Sequence, residues 1–390
     1  MSVTIARTRQ AAIASQVEIV PVRTWRQKRE FLNFPWKLYA DDPHWIPPLR
    51  LNQKELAGYA YHPFYDQAEA QTFLARRDGK TVGRISAIVN HAYAKAFPNE
   101  PLGFFGFFES IDDQQVATAL LDTAREWLAA RGLDVVRGPV NPSMNYECGL
   151  LVDGFDSSPT FMMTYNPPYY ARLLEEYGFH KAHDLLGYIG YMDELTNIEN
   201  KLGQLAEQIQ ERFEVKVRPL NRRRFMEDVR MFLEMYNSSM VFTWGFVPIS
   251  DAEVRHFAKS LRFLLHPQLT MIADVEGRHA GVVLCLPDYN PRIKEIDGRL
   301  LPFGFLRLLS RKKDIHRVRV VAINVLPEFQ RVGLGLVLMR ALAQPARDLK
   351  IAEGEFSWVL ETNELARLGL EKGGARIYKT WRMYDYRPEG

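Results

Sequence analysis

The residues best suited to chemistry are Gln330-Arg331-Val332-Gly333-Leu334-Gly335, set between a β-branched run that ends at Val325 and an apolar stretch with helical spacing. Pro327 breaks the run, and the glycines let the backbone turn tightly and approach a ligand. The first N–H groups of the following helix then point outward at the positive end of its dipole. Such a turn holds a phosphate or pyrophosphate. A second polar group, Asn141, Asn145, Tyr146, Glu147 and Cys148, is packed between apolar runs in the first half of the chain. Loops of this kind on rigid scaffolds carry function, so Tyr146 and Glu147 are candidates to line the cleft of the other half. Cys148 has no paired His nearby in sequence and reads as a small buried residue. His180 and His183 have helical spacing but no evident third ligand, so no metal is expected.

The elements that must position these residues occur twice. The frame A-x-x-[DE]-G-[KR]-x-[VA]-G runs from Ala75 to Gly83 and again from Ala273 to Gly281, a spacing of 198. A later pair, LLEEYGF ending at Phe179 and GLEKGGA ending at Ala375, is spaced by 196. One supersecondary unit therefore occurs twice. Each frame reads as a β-hairpin around Asp78-Gly79 or Glu276-Gly277. Strand, helix, strand, helix and strand follow, which predicts an α/β fold with a mixed, mostly antiparallel sheet flanked by helices in each half. The expected units are 1–190 and 191–390, the second interrupted by an insertion at 287–316. Thr196/Glu199 and Ser250/Glu253 are read as helix-capping pairs, with a further helix starting near Asn221. The first half places Glu109, Asp112 and Asp113 where the second has its glycine turn. Those carboxylates would repel a pyrophosphate.

Composition narrows the class. With 47% hydrophobic and 25% charged residues the chain is expected to fold throughout. A net charge of +3 without a concentrated stripe argues against nucleic acid. Two cysteines suit a reducing compartment, and no uncharged run reaches the length of a membrane span. The expected location is cytoplasmic.

The turn Gln330, Arg331, Gly333 and Gly335 resembles the [QR]-x-x-G-x-[GA] loop of the GCN5-related N-acetyltransferase superfamily, and Asn363, Ala366, Glu371, Lys372 and Gly374 fit its later N-x-x-A…EK-x-G pattern. The family's Tyr and Phe fall on Leu370 and Ala375. The resemblance implies two tandem domains of this fold, the first without the cofactor loop. It further implies acyl transfer from acyl-CoA to an amine. CoA would be held by Val325, Leu326, Gln330, Arg331, Val332, Gly333, Leu334, Gly335 and Asn363, with N–H groups near Leu326 polarising the thioester carbonyl. Glu361 is the first candidate base, and Tyr378 a candidate acid in place of the missing Tyr.

In the insertion, Leu300, Leu301, Phe303, Phe305, Leu306, Leu308 and Leu309 precede Arg311-Lys312-Lys313. An apolar face beside cations suits a membrane interface. Residues 299–313 are therefore an expected peripheral contact on the inner face of the membrane. The resulting reading is an N-acyltransferase with a lipid amine, similar to the bacterial ceramide synthases of this superfamily. The alternatives are acetyl transfer to a small amine or peptide, and a non-catalytic acyl-CoA sensor.

Overall fold

The computed structural model describes residues 16–240, 243–310 and 314–388. The first half comprises β1 (Glu18–Pro21), α1 (Trp25–Leu38), α2 (Arg50–Leu56), β2 (Ala68–Arg77), β3 (Lys80–Asn90), α3 (His91–Ala96), β4 (Leu102–Ser110) and α4 (Gln114–Ala129). It continues through β5 (Val135–Gly138), β6 (Val140–Asn141), β7 (Glu147–Cys148), β8 (Leu150–Asp153), α5 (Tyr170–Tyr177) and β9 (His180–Tyr191). The second half comprises α6 (Met192–Arg212), β10 (Lys216–Pro219), α7 (Phe225–Ser239), α8 (Asp251–Leu264), β11 (Thr270–Val275), β12 (Arg278–Pro287), α9 (Asn290–Glu295) and α10 (Gly304–Leu309). It ends with β13 (Arg317–Val325), α11 (Pro327–Gln330), α12 (Leu334–Asp348), β14 (Glu353–Leu360), α13 (Glu364–Lys372) and β15 (Arg376–Tyr386).

Both predicted hairpins form. At each tip the two central residues have positive φ, 53° and 72° at Asp78-Gly79 and 50° and 77° at Glu276-Gly277. That conformation matches the right-handed twist of the flanking strands. The predicted Ser250/Glu253 capping box is present on α8. Differences occur at β10, which the sequence reading passed over, and at α6, which starts at Met192 rather than near Thr196. There the Glu194 carboxylate accepts the Tyr191 N–H at 3.0 Å, so the first turn is capped earlier than expected.

The main sheet has the order β1-β2-β3-β4-β5-β15-β9-β14-β13-β12-β11-β10, with β8 also paired to β15. Most pairs are antiparallel, whereas β4–β5 and β13–β14 are parallel. The halves thus share one sheet. Moreover, β9, which closes the first half, lies between β14 and β15, and β15, which closes the second, lies between β5 and β9. Each half seats its last strand against the other. The expected boundary at 190/191 falls at the end of β9.

On one face, α4 and α5 cover the first half around Leu120, Ala124 and Leu173, and α12 covers the second around Val337, Leu338 and Val320. The opposite face carries α7, α8 and a strap, residues 154–169, that leaves β8 of the first half and crosses the second. Burial of these clusters is the main stabilising contribution, roughly 1.5–3 kcal/mol for each large apolar side chain.

Candidate functional site

The parallel pair β13–β14 holds register only from Arg317↔Glu353 to Val320↔Phe356. Beyond that point β13 follows β12 to the pair Gly281↔Val325, while β14 follows β9 to Leu360↔Leu185. The two strands part, and a V opens between them. The register shift between β12 and β13 places an extra residue, Val321, on β13 at the apex. Leu326 donates its N–H to Ala280 O at 3.0 Å. In an antiparallel ladder the N–H groups alternate, so those of Ile323 and Val325 turn to the open side. The expected donors near Leu326 are thereby narrowed: the N–H of Leu326 itself is bonded within the sheet, and those of Ile323 and Val325 face the opening.

At the end of β13, Gln330 donates Nε2–H to Val325 O at 3.1 Å and fixes the turn to the strand. Gly333 is the residue before α12, with φ at 89°. No side chain caps this helix. At Gly335 an added Cβ would meet nothing closer than Ile323 Cγ2 at 4.0 Å, so no side chain crowds the helix at that residue. Glycine at 333 meets two demands, because a Cβ would lie 2.8 Å from Ile209 Cδ1 as well as in a strained backbone conformation. Arg331 is exposed beside the turn, and Val332 is half-buried. Bare, outward-pointing N–H groups with an adjacent guanidinium fit a pyrophosphate. Asn363 instead caps α13, accepting the Ala366 N–H at 3.1 Å.

Behind the apex lies a polar network absent from the sequence reading. Glu355 of β14 is 0% exposed. Its carboxylate accepts hydrogen bonds from the hydroxyls of Thr160 and Tyr378, and from Ser357 Oγ at 2.6 Å. Ser357 Oγ accepts in turn from Arg319 Nε at 3.0 Å. Arg319, 4% exposed, donates further to the carbonyls of Phe161, Met162 and Ser357. Tyr378 of β15 reaches Glu355 of β14 across β9 beside Gly187, where an added Cβ would sit 2.7 Å from the Trp381 ring and only in ordinary contact, 3.4 Å, with that of Tyr378. Burial, then the neighbouring Glu355 charge, raises the Tyr378 hydroxyl well above its ordinary range, so it stays protonated. The strap of the first half closes this cluster: Asp288 accepts the Phe161 N–H at 3.0 Å, and Asn290 donates to Pro159 O at 2.6 Å. Burial pushes Asp288 up to about 6. The available signal was a charge set among the apolar residues of a strand, Arg319 in RVRVVAINV and Glu355 in EGEFSWVL.

Other candidates are placed differently. Glu361 faces β9 rather than the V. Its N–H goes to Asp184 O, its Oε1 accepts the Asp184 N–H at 3.0 Å, and its Oε2 pairs with Lys181 Nζ at 2.7 Å. Burial raises its pKa, but these hydrogen bonds outweigh that and hold it below the usual range, which makes it a weak base. Tyr146 does cross to the second half, stacking on Phe257 at 5.0 Å, yet its hydroxyl is bonded to Glu253 at 2.7 Å. Glu147 accepts from Asn141 Nδ2 at 3.2 Å, and burial raises its pKa. Cys148 is buried and its thiol is pushed up by that burial. Leu370 packs with Leu186, Tyr188 and Ala375 and supplies no hydroxyl. His183 stacks on Trp244 at 4.8 Å, and no group of three His, Cys, Asp or Glu side chains that could hold a metal occurs among the described residues. Arg311, Lys312 and Lys313 lie outside the described residues.

No protein-family profile matches the chain. It is 36% identical to the protein YghO of Escherichia coli strain K12 over 373 residues, covering 93% of this chain and 94% of that protein. It is 35% identical over 383 residues to a protein named bacterial ceramide synthase from Caulobacter vibrioides, covering 95% and 97%. Among solved structures it resembles a tandem GNAT protein from the clavulanic acid biosynthesis pathway, with a TM-score of 0.56, 12% identity, and coverage of 96% of this chain and 100% of that one. It also resembles a GCN5-related N-acetyltransferase from Anabaena variabilis, with a TM-score of 0.52, 11% identity and coverage of 95% and 72%.

Proposed function

This chain belongs to the GCN5-related N-acetyltransferase superfamily as a tandem member and is an N-acyltransferase, and on that premise we propose that it transfers an acyl group from acyl-CoA to a primary amine carried by a lipid. The V beside an uncapped α12 is the observation that carries the reading. The diphosphate of CoA would lie on the N–H groups of residues 333–335 with Arg331 and Val332 beside it, and Gln330 would hold the turn on β13. Acyl-CoA supplies the activated carbonyl. Toward that carbonyl the N–H groups of Ile323 and Val325 would act as donors along the open edge of β13, worth several kcal/mol where charge develops on oxygen.

In the transfer the amine nitrogen attacks the thioester carbon, the new C–N bond forms and the C–S bond breaks. The nitrogen loses a proton and the departing thiolate gains one. We assign this proton traffic to the network Tyr378–Glu355–Ser357, with Arg319 holding Ser357 and compensating the buried carboxylate. Glu355 takes the role first given to Glu361. Tyr378 keeps the role of acid: its hydroxyl stays protonated, and a proton it passes to the thiolate would be replaced from Glu355 once that carboxylate has taken the proton of the amine.

The relative named ceramide synthase supports a long-chain amine. Exposed apolar side chains on β13 and on the helix that follows β14, Ile323 and Leu365 with Leu368, support a long acyl chain rather than acetyl. The test is mass spectrometry of products from acyl-CoA of graded chain length against long-chain and short primary amines, with free thiol followed in parallel. N-acylated long-chain amine with stoichiometric thiol is the expected result. Product only from acetyl-CoA with short amines would overturn the lipid reading, and binding without thiol release would leave a sensor.

A further inference from the structure

The insertion that separates β12 from β13 does not fold away all of its apolar residues. Leu301 is 78% exposed, Phe303 72% and Leu306 55%, with Phe305 exposed beside them. A patch of this kind on a folded chain marks an interaction surface. It is not isolated, because the insertion is bolted to the first two helices of the chain. Arg50 N–H donates to Gly298 O at 3.0 Å, the Arg50 guanidinium pairs with Asp297 at 2.8 Å, and Trp36 Nε1 donates to the same carboxylate at 2.5 Å. Arg50 and Trp36 form one wall of an open groove between α1 and α2 that also includes Trp25, Leu32, Lys28 and Lys54. Trp25 is 66% exposed, and Leu51, next to Arg50, is exposed as well. The apolar tip therefore begins three residues from an aromatic groove. Cations border both: Lys28, Arg29 and Lys54 on the helices, Arg299 and Arg307 on the insertion. Of the acids on these elements, Asp297 is tied to Arg50 and Arg299, Asp42 accepts from the Tyr165 hydroxyl, and Glu295 and Asp41 are exposed.

We propose that the α1–α2 groove and the tip of the insertion form one surface that docks on an anionic lipid bilayer. Exposed apolar side chains ringed by Lys and Arg are complementary to acyl chains below anionic headgroups. The same ring opposes a second copy of the chain, because a two-fold contact would set these cations against themselves. No described helix is long and apolar enough to cross a membrane, so the contact is interfacial. The insertion is also packed, through the core, against the strap and the apex of the V. One apolar cluster runs from Leu300 and Leu309 of the insertion through Phe161 and Met162 of the strap to Val321 at the apex. This inference deepens the lipid-amine reading, which gives it a purpose, but its evidence is independent of that reading.

The test is co-sedimentation of the full chain with phosphatidylcholine vesicles, with and without phosphatidylglycerol, in the absence of any amine. The wild-type chain is expected to sediment with the anionic vesicles. The triple variant Leu301→Ser, Phe303→Ser, Leu306→Ser should lower partitioning by about tenfold or more, and Lys28→Glu, Arg29→Glu, Lys54→Glu should remove the preference for anionic vesicles. These side chains are at the surface, and an unchanged circular dichroism spectrum with unchanged CoA binding confirms that the variants fold. Equal sedimentation of the apolar triple variant and the wild type overturns the proposal. So does a dimer in solution that the triple variant abolishes and vesicles do not dissociate. Vesicle binding without acylation of any long-chain amine sinks the substrate reading alone, whereas acylation in detergent without vesicle binding sinks this one alone.

Discussion

The two halves open the same kind of V and treat it in opposite ways. In the first half β4 and β5 are paired only from Leu102↔Val135 to Phe104↔Arg137 before they part, and a register shift on β4 lies beyond, as on β13. There the chain fills its own opening. The Phe107 N–H, on the part of β4 that has left β5, donates to Asn141 Oδ1 at 2.6 Å, and Val140 passes so close that a Cβ on Gly106 would sit 1.5 Å from its carbonyl oxygen. The helix that follows is also occupied. Asp113 caps α4 by accepting the N–H groups of Gln115 and Val116 and pairs with Arg77 at 2.7 Å. In the second half α12 has no side-chain cap, and glycines stand in its turn. A helix N-terminus with its own carboxylate is satisfied, whereas one without is disposed to bind an anion. Each half also buries a carboxylate among tyrosine hydroxyls and an arginine. Glu109 accepts from Tyr39 and Tyr170 in the first, and Glu355 from Tyr378 in the second, where Ser357 connects it to Arg319. Under the proposed function, the same supersecondary unit serves as scaffold in one copy and as site in the other.

The contrast can be broken most severely at the two carboxylates. Glu355→Gln is expected to lower turnover by roughly 10²–10⁴-fold with CoA affinity retained. Glu109→Gln should leave turnover unchanged and lower stability by about 1–3 kcal/mol, read by denaturant unfolding. Equal loss of turnover in both variants would mean that the halves do not differ in this way. The next effect is at the helix. Gly335→Asp introduces into the second half the charge that Asp113 brings to the first, and its Cβ has room. CoA affinity measured by calorimetry should fall by about a hundredfold, roughly 3 kcal/mol, with little change in melting temperature. Retained affinity would remove the pyrophosphate assignment.

A third experiment concerns the strap by which the first half covers the second. Asp288 in the folded chain titrates at about 6, above the ordinary carboxylate range. The folded state therefore holds an extra proton between about pH 4 and 6, so this group's contribution is greatest below that window and is lost as pH rises through 6. Asp288→Asn keeps an acceptor for the Phe161 N–H. It should be more stable than wild type at pH 7 by on the order of 2–3 kcal/mol, and the advantage should vanish near pH 4. A difference that does not change with pH would show that Asp288 is not the titrating group. The smallest effect is expected at the plug: Asn141→Ala should cost about 1–2 kcal/mol of stability and leave one CoA per chain. Binding of a second CoA would show that only the plug distinguishes the two openings.

Much of this architecture was legible beforehand because hairpins and helix starts are local. Asp78-Gly79 and Glu276-Gly277 specify their turns through the φ values that such residues tolerate, and Ser250 with Glu253 caps a helix three residues away. The glycine turn was legible for the same reason. The network around Glu355 was not, because Thr160, Arg319, Ser357 and Tyr378 come from a strap and three strands separated by as many as 218 residues. A lone Glu in a strand reads equally as solvated surface. Glu361 misled because the end of a strand has two sides, and its side chain took the β9 side.

By itself the sequence determined the hairpins, most of the helices and their order, their repetition, and the glycine turn before α12, since each depends on neighbours within a few residues. Only the tertiary structure decided which strand pairs with which. Alternation along β9 and β15 tells which side chains face a core, but not that each strand lies in the other half's part of the sheet, because hydrogen bonding by the backbone is the same for every partner. That pairing lays β9, with Gly187, between Tyr378 and Glu355, and so completes the network with hydroxyls from both halves.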